Sequence, residues 1–174
     1  MGEYHLGTKM KPIINISSLD LQPNPFPPAE GTSAAESGKF GGRMAWIGPL
    51  VGAQKLGYNV TAVEPGKRVF PFHNHRVNEE MFFVLEGSGE VRIGSETYPI
   101  TKGDIIACPP GGAETAHQII NTGTGELKYL AVSTKIEYDL CDYPDSGKFA
   151  LLADGGKFRF VGREEQSLDY WEGE

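Results

Sequence analysis

The sequence predicts an all-β domain, a sandwich or a barrel, and three observations carry that expectation. Short stretches of alternating apolar and polar residues recur every 8–12 residues, the spacing of successive strands in such folds. The breaks between them are rich in Gly, Pro, Asn and Ser, which favour turns for separate steric reasons. A length of 174 residues suits one domain, large enough to bury about 70% of its unfolded surface. A hydrophobic fraction of 39% with 10% aromatics is ordinary for a globular chain.

The elements follow in order. The first forty residues read as an irregular arm, because Pro23, Pro25, Pro27 and Pro28 remove backbone donors and favour extended geometry. The small-residue stretch AEGTSAAESGKFGGR continues it as a long loop. In KLGYNVTAVEPG, Leu56, Tyr58, Val60 and Ala62 share one face of a strand that stops at Pro65-Gly66. VFPFHNH is a second extended piece, and EMFFVLEGSGEVRIG holds two strands broken by Gly87-Ser88-Gly89. Gly94-Ser95 suits a two-residue hairpin turn of type II′, with Gly first. DIIACPPGG is a short strand ending in a turn, and HQIIN and LKYLAVSTK flank NTGTGE as a hairpin. Beyond Tyr138 the pattern weakens: CDYPDSGKF reads as a turn-rich loop, KFRFV as one more strand, and EEQSLDYWEGE as a short final helix. The expected organisation is an arm over 1–40, a barrel over 41–138 and an acidic C-terminal extension over 139–174 packing on or near it.

Charge narrows the partners. The net charge is −7, and the segment from Asp139 to Glu174 holds nine acidic and four basic residues. Nucleic-acid binding needs clustered Lys and Arg, so nucleic acid is not an expected partner. No apolar run approaches the ~20 residues that cross a bilayer, and MGEYHLGTKMKP has no apolar signal core. The expectation is therefore a cytoplasmic protein with no membrane partner. Cys108 and Cys141 are expected as reduced thiols, with Cys108 a small buried filler rather than a nucleophile.

Chemistry concentrates in few residues. Of four histidines, His5 lies near the N-terminus and the others are His73, His75 and His117. On a strand, residues i and i+2 project to the same side, so His73 and His75 can converge on one ion while Asn74 faces away. Glu80 opens the next strand and can add an anionic oxygen, a common ligand for Mn, Fe, Co, Ni or Zn. Glu79 sits on the opposite face and reads as a solvent-side carboxylate or a base.

At this point the chain resembles the cupin superfamily. Gly66-x6-His73-x-His75-x4-Glu80-x6-Gly87 resembles that family's first motif, with one extra residue before the first histidine. Gly103-x5-Pro109-x-Gly111-x5-His117-x3-Asn121 resembles its second, with five residues in place of two before His117. The longer loop, GAETA, could reshape the pocket rim or bring Glu114 near the ion as ligand or base. The resemblance implies a double-stranded β-helix, the jelly-roll barrel, with one divalent transition metal held by His73, His75, Glu80 and His117. It also implies frequent homodimers.

The functional expectation is a metal-dependent enzyme acting on a small molecule. Sugar or sugar-phosphate isomerisation leads, with Glu79 or Glu114 as the group that moves a proton. The alternatives are an iron-dependent dioxygenase and a non-catalytic module that binds or senses a small ligand.

Overall fold

Glycine and proline decide where this chain turns, and between those points it alternates inward and outward residues. The computed structural model describes residues 11–25, 38–154 and 157–174, which form thirteen strands and one short helix. The strands are β1 (Gln22–Pro23), β2 (Arg43–Trp46), β3 (Leu56–Val63), β4 (Asn74–His75), β5 (Glu80–Glu86), β6 (Ser88–Ile93), β7 (Glu96–Thr101), β8 (Ile105–Cys108), β9 (His117–Ile120), β10 (Leu127–Thr134), β11 (Asp139–Tyr143), β12 (Lys148–Ala153) and β13 (Phe158–Gly162). The helix, α1 (Gly48–Val51), has a proline in its first turn and ends at Gly52, whose φ is 77°. None of the helices described is long and apolar enough to cross a membrane.

The strands form three sheets, ordered β1-β2-β3-β10-β5-β8, β13-β12-β11-β4 and β7-β6-β9, with every pairing antiparallel. This is the all-β jelly roll that the sequence predicts. The core lies between the first and third sheets. Phe82, Val84, Tyr129 and Ala131 point inward from the large sheet, and Val91, Ile100 and Ile119 meet them from the small one. Burying such side chains contributes about 1.5–3 kcal/mol each. Gly87 takes φ 81° between β5 and β6, and a Cβ there would collide with the Glu126 carbonyl. Only glycine lets the chain pass from one sheet to the other at that point.

Several expectations need correction. HQIIN and LKYLAVSTK are strands, but they do not pair: β9 joins β6, whereas β10 lies between β3 and β5. The segment between them is a corner, organised by the fully buried Asn121. Its amide donates to the Val63 and Gly125 carbonyls, and its oxygen accepts from the Gly123 N–H. Gly87 alone separates β5 from β6, because Ser88 and Gly89 are already in β6. CDYPDSGKF is no loop but the end of β11, a turn and the start of β12. KFRFV does form β13, while the expected final helix is only a 3-10 turn at Glu164–Gln166. Within the arm, Gln22–Pro23 pairs with β2. Expectations for residues 1–10 and 26–37, His5 included, fall outside the described residues.

Candidate metal centre

One pairing of the four-stranded sheet builds the site. In the four-stranded sheet β11 pairs with β4, setting Cys141 opposite His75 and Asp142 opposite Asn74. The HNH stretch is thereby fixed against the last part of the chain. It is also held from the other side: the Gly111 N–H donates to the His75 carbonyl, and the Asn74 amide donates to the Gly111 carbonyl and to Asp142. His73 pairs with His117 through two backbone hydrogen bonds of 2.8 and 3.2 Å. Glu80 opens β5, beside Cys108 on β8.

These elements turn three imidazoles toward one carboxylate oxygen. Glu80 Oε2 lies 2.9 Å from Nε2 of His117, 3.5 Å from Nε2 of His75 and 4.0 Å from Nε2 of His73. The His73 ring centroid is 5.1 Å from that of His75 and 4.8 Å from that of His117. Phe82 packs at 5.5 Å from the His117 ring and forms the floor.

The far side of each ring faces oxygen. His73 Nδ1 is 2.8 Å from the Pro71 carbonyl, His117 Nδ1 is 3.3 Å from the Thr115 carbonyl, and His75 Nδ1 is 2.6 Å from Asp139 Oδ2. A carbonyl only accepts, so the His73 hydrogen sits on Nδ1 and its Nε2 lone pair faces Glu80. Oxygen partners on the remote nitrogen are how proteins orient metal-binding histidines.

Asp139 is 3% exposed. Besides His75, it accepts from the Val77 N–H at 3.1 Å, the Asn78 N–H at 3.4 Å and the Asn78 amide at 2.8 Å. The Cys141 thiol lies 3.2 Å from His75 Nδ1. Tyr143 completes the wall, its ring 6.1 Å from that of His73 and nearly parallel at 21°. Two ion pairs brace the rim: Arg76 grips Asp142 with bonds of 2.8 and 2.9 Å, and Arg92 grips Asp145 at 2.9 and 3.0 Å while lying 3.6 Å over the Phe72 ring.

The electrostatics follow from burial and charge. Burial, reinforced by the neighbouring imidazoles, pushes His73 down to about 4, so it is neutral at neutral pH. Burial also works against a charged His75, but hydrogen bonds to Asp139, Cys141 and Glu80 outweigh it and push it up to about 12. Glu80 is opposed by burial yet held well below the usual carboxylate range by His117 and His75. Glu80 thus stays anionic among the three imidazoles.

That donor set fits a transition metal. Two ligand atoms each ~2.1 Å from an ion, at angles of ~90–110°, lie about 3.0–3.4 Å apart, close to the Glu80 contacts. The described residues contain two groups whose ligand atoms all lie within 4.8 Å of one another, His73-His75-Glu80 and His75-Asp139-Cys141. The second shares His75 with the first but reaches it at Nδ1, behind the ring.

The structure does not bring the two expected proton carriers into this cluster. Glu79 is exposed just before β5, with its N–H donating to the Thr134 hydroxyl. Glu114 is exposed on the GAETA turn, and its carboxylate accepts the Gly112 N–H at 2.9 Å. Cys108 is 3% exposed, and burial pushes its thiol up to about 12, as befits a filler. Asp139, Cys141 and Tyr143 are the residues that sequence reasoning missed. Their period-two spacing in DLCDY is a strand signal that could have placed all three on one face.

An antiparallel jelly roll with three histidines and a glutamate converging inside it defines a class of barrel protein. A family model described as a cupin domain matches residues 59–133, and that stretch is similar to a cupin domain. A stretch of 61 residues is 39% identical to an uncharacterized protein of Methanocaldococcus jannaschii, covering 35% of this chain and 46% of the relative. The matching stretch thus spans about half the length of that curated relative. The structure is similar to that of a proposed sugar phosphate isomerase from Acidithiobacillus ferrooxidans, with TM-score 0.67 and 29% identity over 74% of this chain and 80% of the other. It also resembles a cupin-superfamily sugar phosphate isomerase from Silicibacter pomeroyi, with TM-score 0.73 and 22% identity over 91% and 98% of the two chains. That second likeness concerns the fold alone.

Proposed function

We propose that the protein binds one divalent transition metal, among Mn, Fe, Ni, Co and Zn, through His73, His75, Glu80 and His117. On that reading it isomerises a sugar phosphate. The observation that carries the proposal is the convergence of three Nε2 atoms on Glu80 Oε2, each ring backed by an oxygen at Nδ1. The 29% identity with the Acidithiobacillus protein supports the choice of reaction.

A bound ion supplies Lewis acidity toward adjacent substrate oxygens. The chain does the rest. Asp139 holds the His75 hydrogen on Nδ1, and Pro71 does the same for His73. Phe82 closes the floor and limits water. An aldose–ketose isomerisation removes a proton from the carbon beside the carbonyl and returns one to the neighbouring carbon. Glu79 and Glu114 both lie outside the cluster, so neither is assigned that proton transfer.

The test has two stages. Elemental analysis of natively expressed protein should find about one ion per chain, with most of it lost in His75→Ala. The Mn, Fe, Ni and Zn forms should then interconvert an aldose phosphate and its ketose without consuming oxygen. Oxygen uptake by the iron form alone would point instead to dioxygenation, and binding without turnover to a sensor module.

The same reading takes the protein as a homodimer. Ile105 is 70% exposed and pairs with Phe83, which pairs with Leu130, so all three share the outer face of the large sheet. Sedimentation should give a dimer for the native chain and a lighter species for Ile105→Asp.

A further inference from the structure

The segment from Asp139 onward is acidic as a sequence, but folding sorts its charges. Cross-strand partners share a face. His75 on β4 sits opposite Cys141, so Asp139, Cys141 and Tyr143 point with it toward the centre. Across β12, Tyr143 pairs with Lys148, Cys141 with Ala150 and Asp139 with Leu152. Across β13, Ala150 pairs with Val161 and Leu152 with Arg159. Lys148 and Arg159 therefore stand on the same face as His75, Asp139 and Tyr143.

The side chains agree with the register. Lys148 Nζ lies 5.8 Å from the centre of the Tyr143 ring, and the Arg159 guanidinium stands beside the Tyr143 side chain. Tyr143 in turn stacks on His73, whose Nε2 faces Glu80. Meanwhile Asp142, on the opposite face, is neutralised by Arg76, and Asp145, in the turn, by Arg92. Asp139, the carboxylate of the inner face, is buried and committed to His75, Val77 and Asn78. The wall beside His73 is thus cationic in a segment whose net charge is negative.

We infer that Tyr143, Lys148 and Arg159 form the subsite for the anionic group of the substrate, a phosphate or a carboxylate, on the His73 side of the centre. The assignment rests on the isomerase reading for the substrate's identity, but not for its charge. Tyr143 spans the two parts of the site. Its ring packs on a metal-side imidazole, and its hydroxyl and the two cations offer hydrogen bonds to oxygen. Lys and Arg differ here in a useful way: guanidinium grips two oxygens in a plane, while ammonium acts as a point charge.

The test uses the metal-loaded protein and four probes, namely fructose 6-phosphate, fructose, inorganic phosphate and malonate, titrated by calorimetry. Variants are Lys148→Gln, Arg159→Gln and the double variant, each checked for unchanged metal content, since neither residue touches the ion's ligands. The native protein should bind fructose 6-phosphate more tightly than fructose. Each single variant should lose about tenfold or more of that affinity, as expected for a charge-assisted bond, while fructose binding stays constant. Full retention of the phosphate preference in the double variant would overturn the subsite and leave the isomerase reading standing. Tight malonate binding that depends on both cations, with no response to either sugar, would support the subsite and overturn the isomerase. Failure of every anion to bind would overturn both.

Discussion

The carboxylate behind His75 offers the sharpest single test of how the site works. Asp139→Asn keeps the size and burial of the side chain but removes its charge and one acceptor oxygen. Four hydrogen bonds now end on that carboxylate: from His75 Nδ1 at 2.6 Å, the Val77 N–H at 3.1 Å, the Asn78 N–H at 3.4 Å and the Asn78 amide at 2.8 Å. His75 and the Asn78 side-chain amide both donate to Oδ2, whereas the Val77 and Asn78 backbone N–H groups both donate to Oδ1. The backbone donors are fixed, so the amide oxygen stays with them and the new NH2 group faces His75. The imidazole relieves that conflict by moving its hydrogen to Nε2, which withdraws the lone pair from the centre. Loss of the charge-assisted bond costs roughly 1.5–3 kcal/mol of folding stability, or about 4–10 °C in Tm for a domain of this size. Metal affinity should fall about 10–100-fold, the usual effect of losing such a partner. Competition against a chromophoric chelator measures the affinity, and calorimetry of the metal-free protein measures the melting temperature. An Asp139→Asn protein that binds metal as tightly as the native one and melts at the same temperature would refute the role assigned to this carboxylate.

Three further outcomes are expected. Asp142 is held below its ordinary value by Arg76, so the unfolded chain takes up a proton first as pH falls. Stability is then fully present above about pH 5 and lost below the unfolded value near ~3.9; urea midpoints from pH 6 to 2 should fall less steeply in Asp142→Asn. The two thiols, 3% and 2% exposed, should resist alkylation at pH 8 in the native protein and react together once it unfolds, so a native thiol modified within minutes would contradict their burial. Gly87→Ala should cost about 2 kcal/mol or more, combining left-handed strain with a backbone collision, and a midpoint within error of the native protein would show that the β5–β6 passage tolerates a side chain.

How far the sequence reveals this arrangement depends on the range of the interaction. His73 and His75 are legible because a strand puts i and i+2 on one side, and Glu80 because a short turn brings the next strand beside it. Gly94-Ser95 is legible because two-residue hairpins demand such residues, and β6 and β7 do pair across it. The β9–β10 hairpin is misread because NTGTGE has turn chemistry, and nothing local says that Asn121 will be buried by a carbonyl 58 residues away. Asp139 is hidden for the same reason: its partner His75 lies 64 residues earlier. The neighbouring Pro144, Asp145 and Gly147 advertise a turn, which masks the alternation of the strand before it.

The pairing of β11 with β4 has a practical consequence for anyone trimming the protein. The family match ends at residue 133, six positions short of Asp139, so a minimal fragment cut there keeps His73, His75, Glu80 and His117. It would nonetheless leave one flank of the barrel bare, with the HNH strand unsupported and the aromatic shelf gone. Such a fragment would look intact by its motif and still lack the strand that braces His75, which makes β11 part of the proposed metal site rather than an appendage.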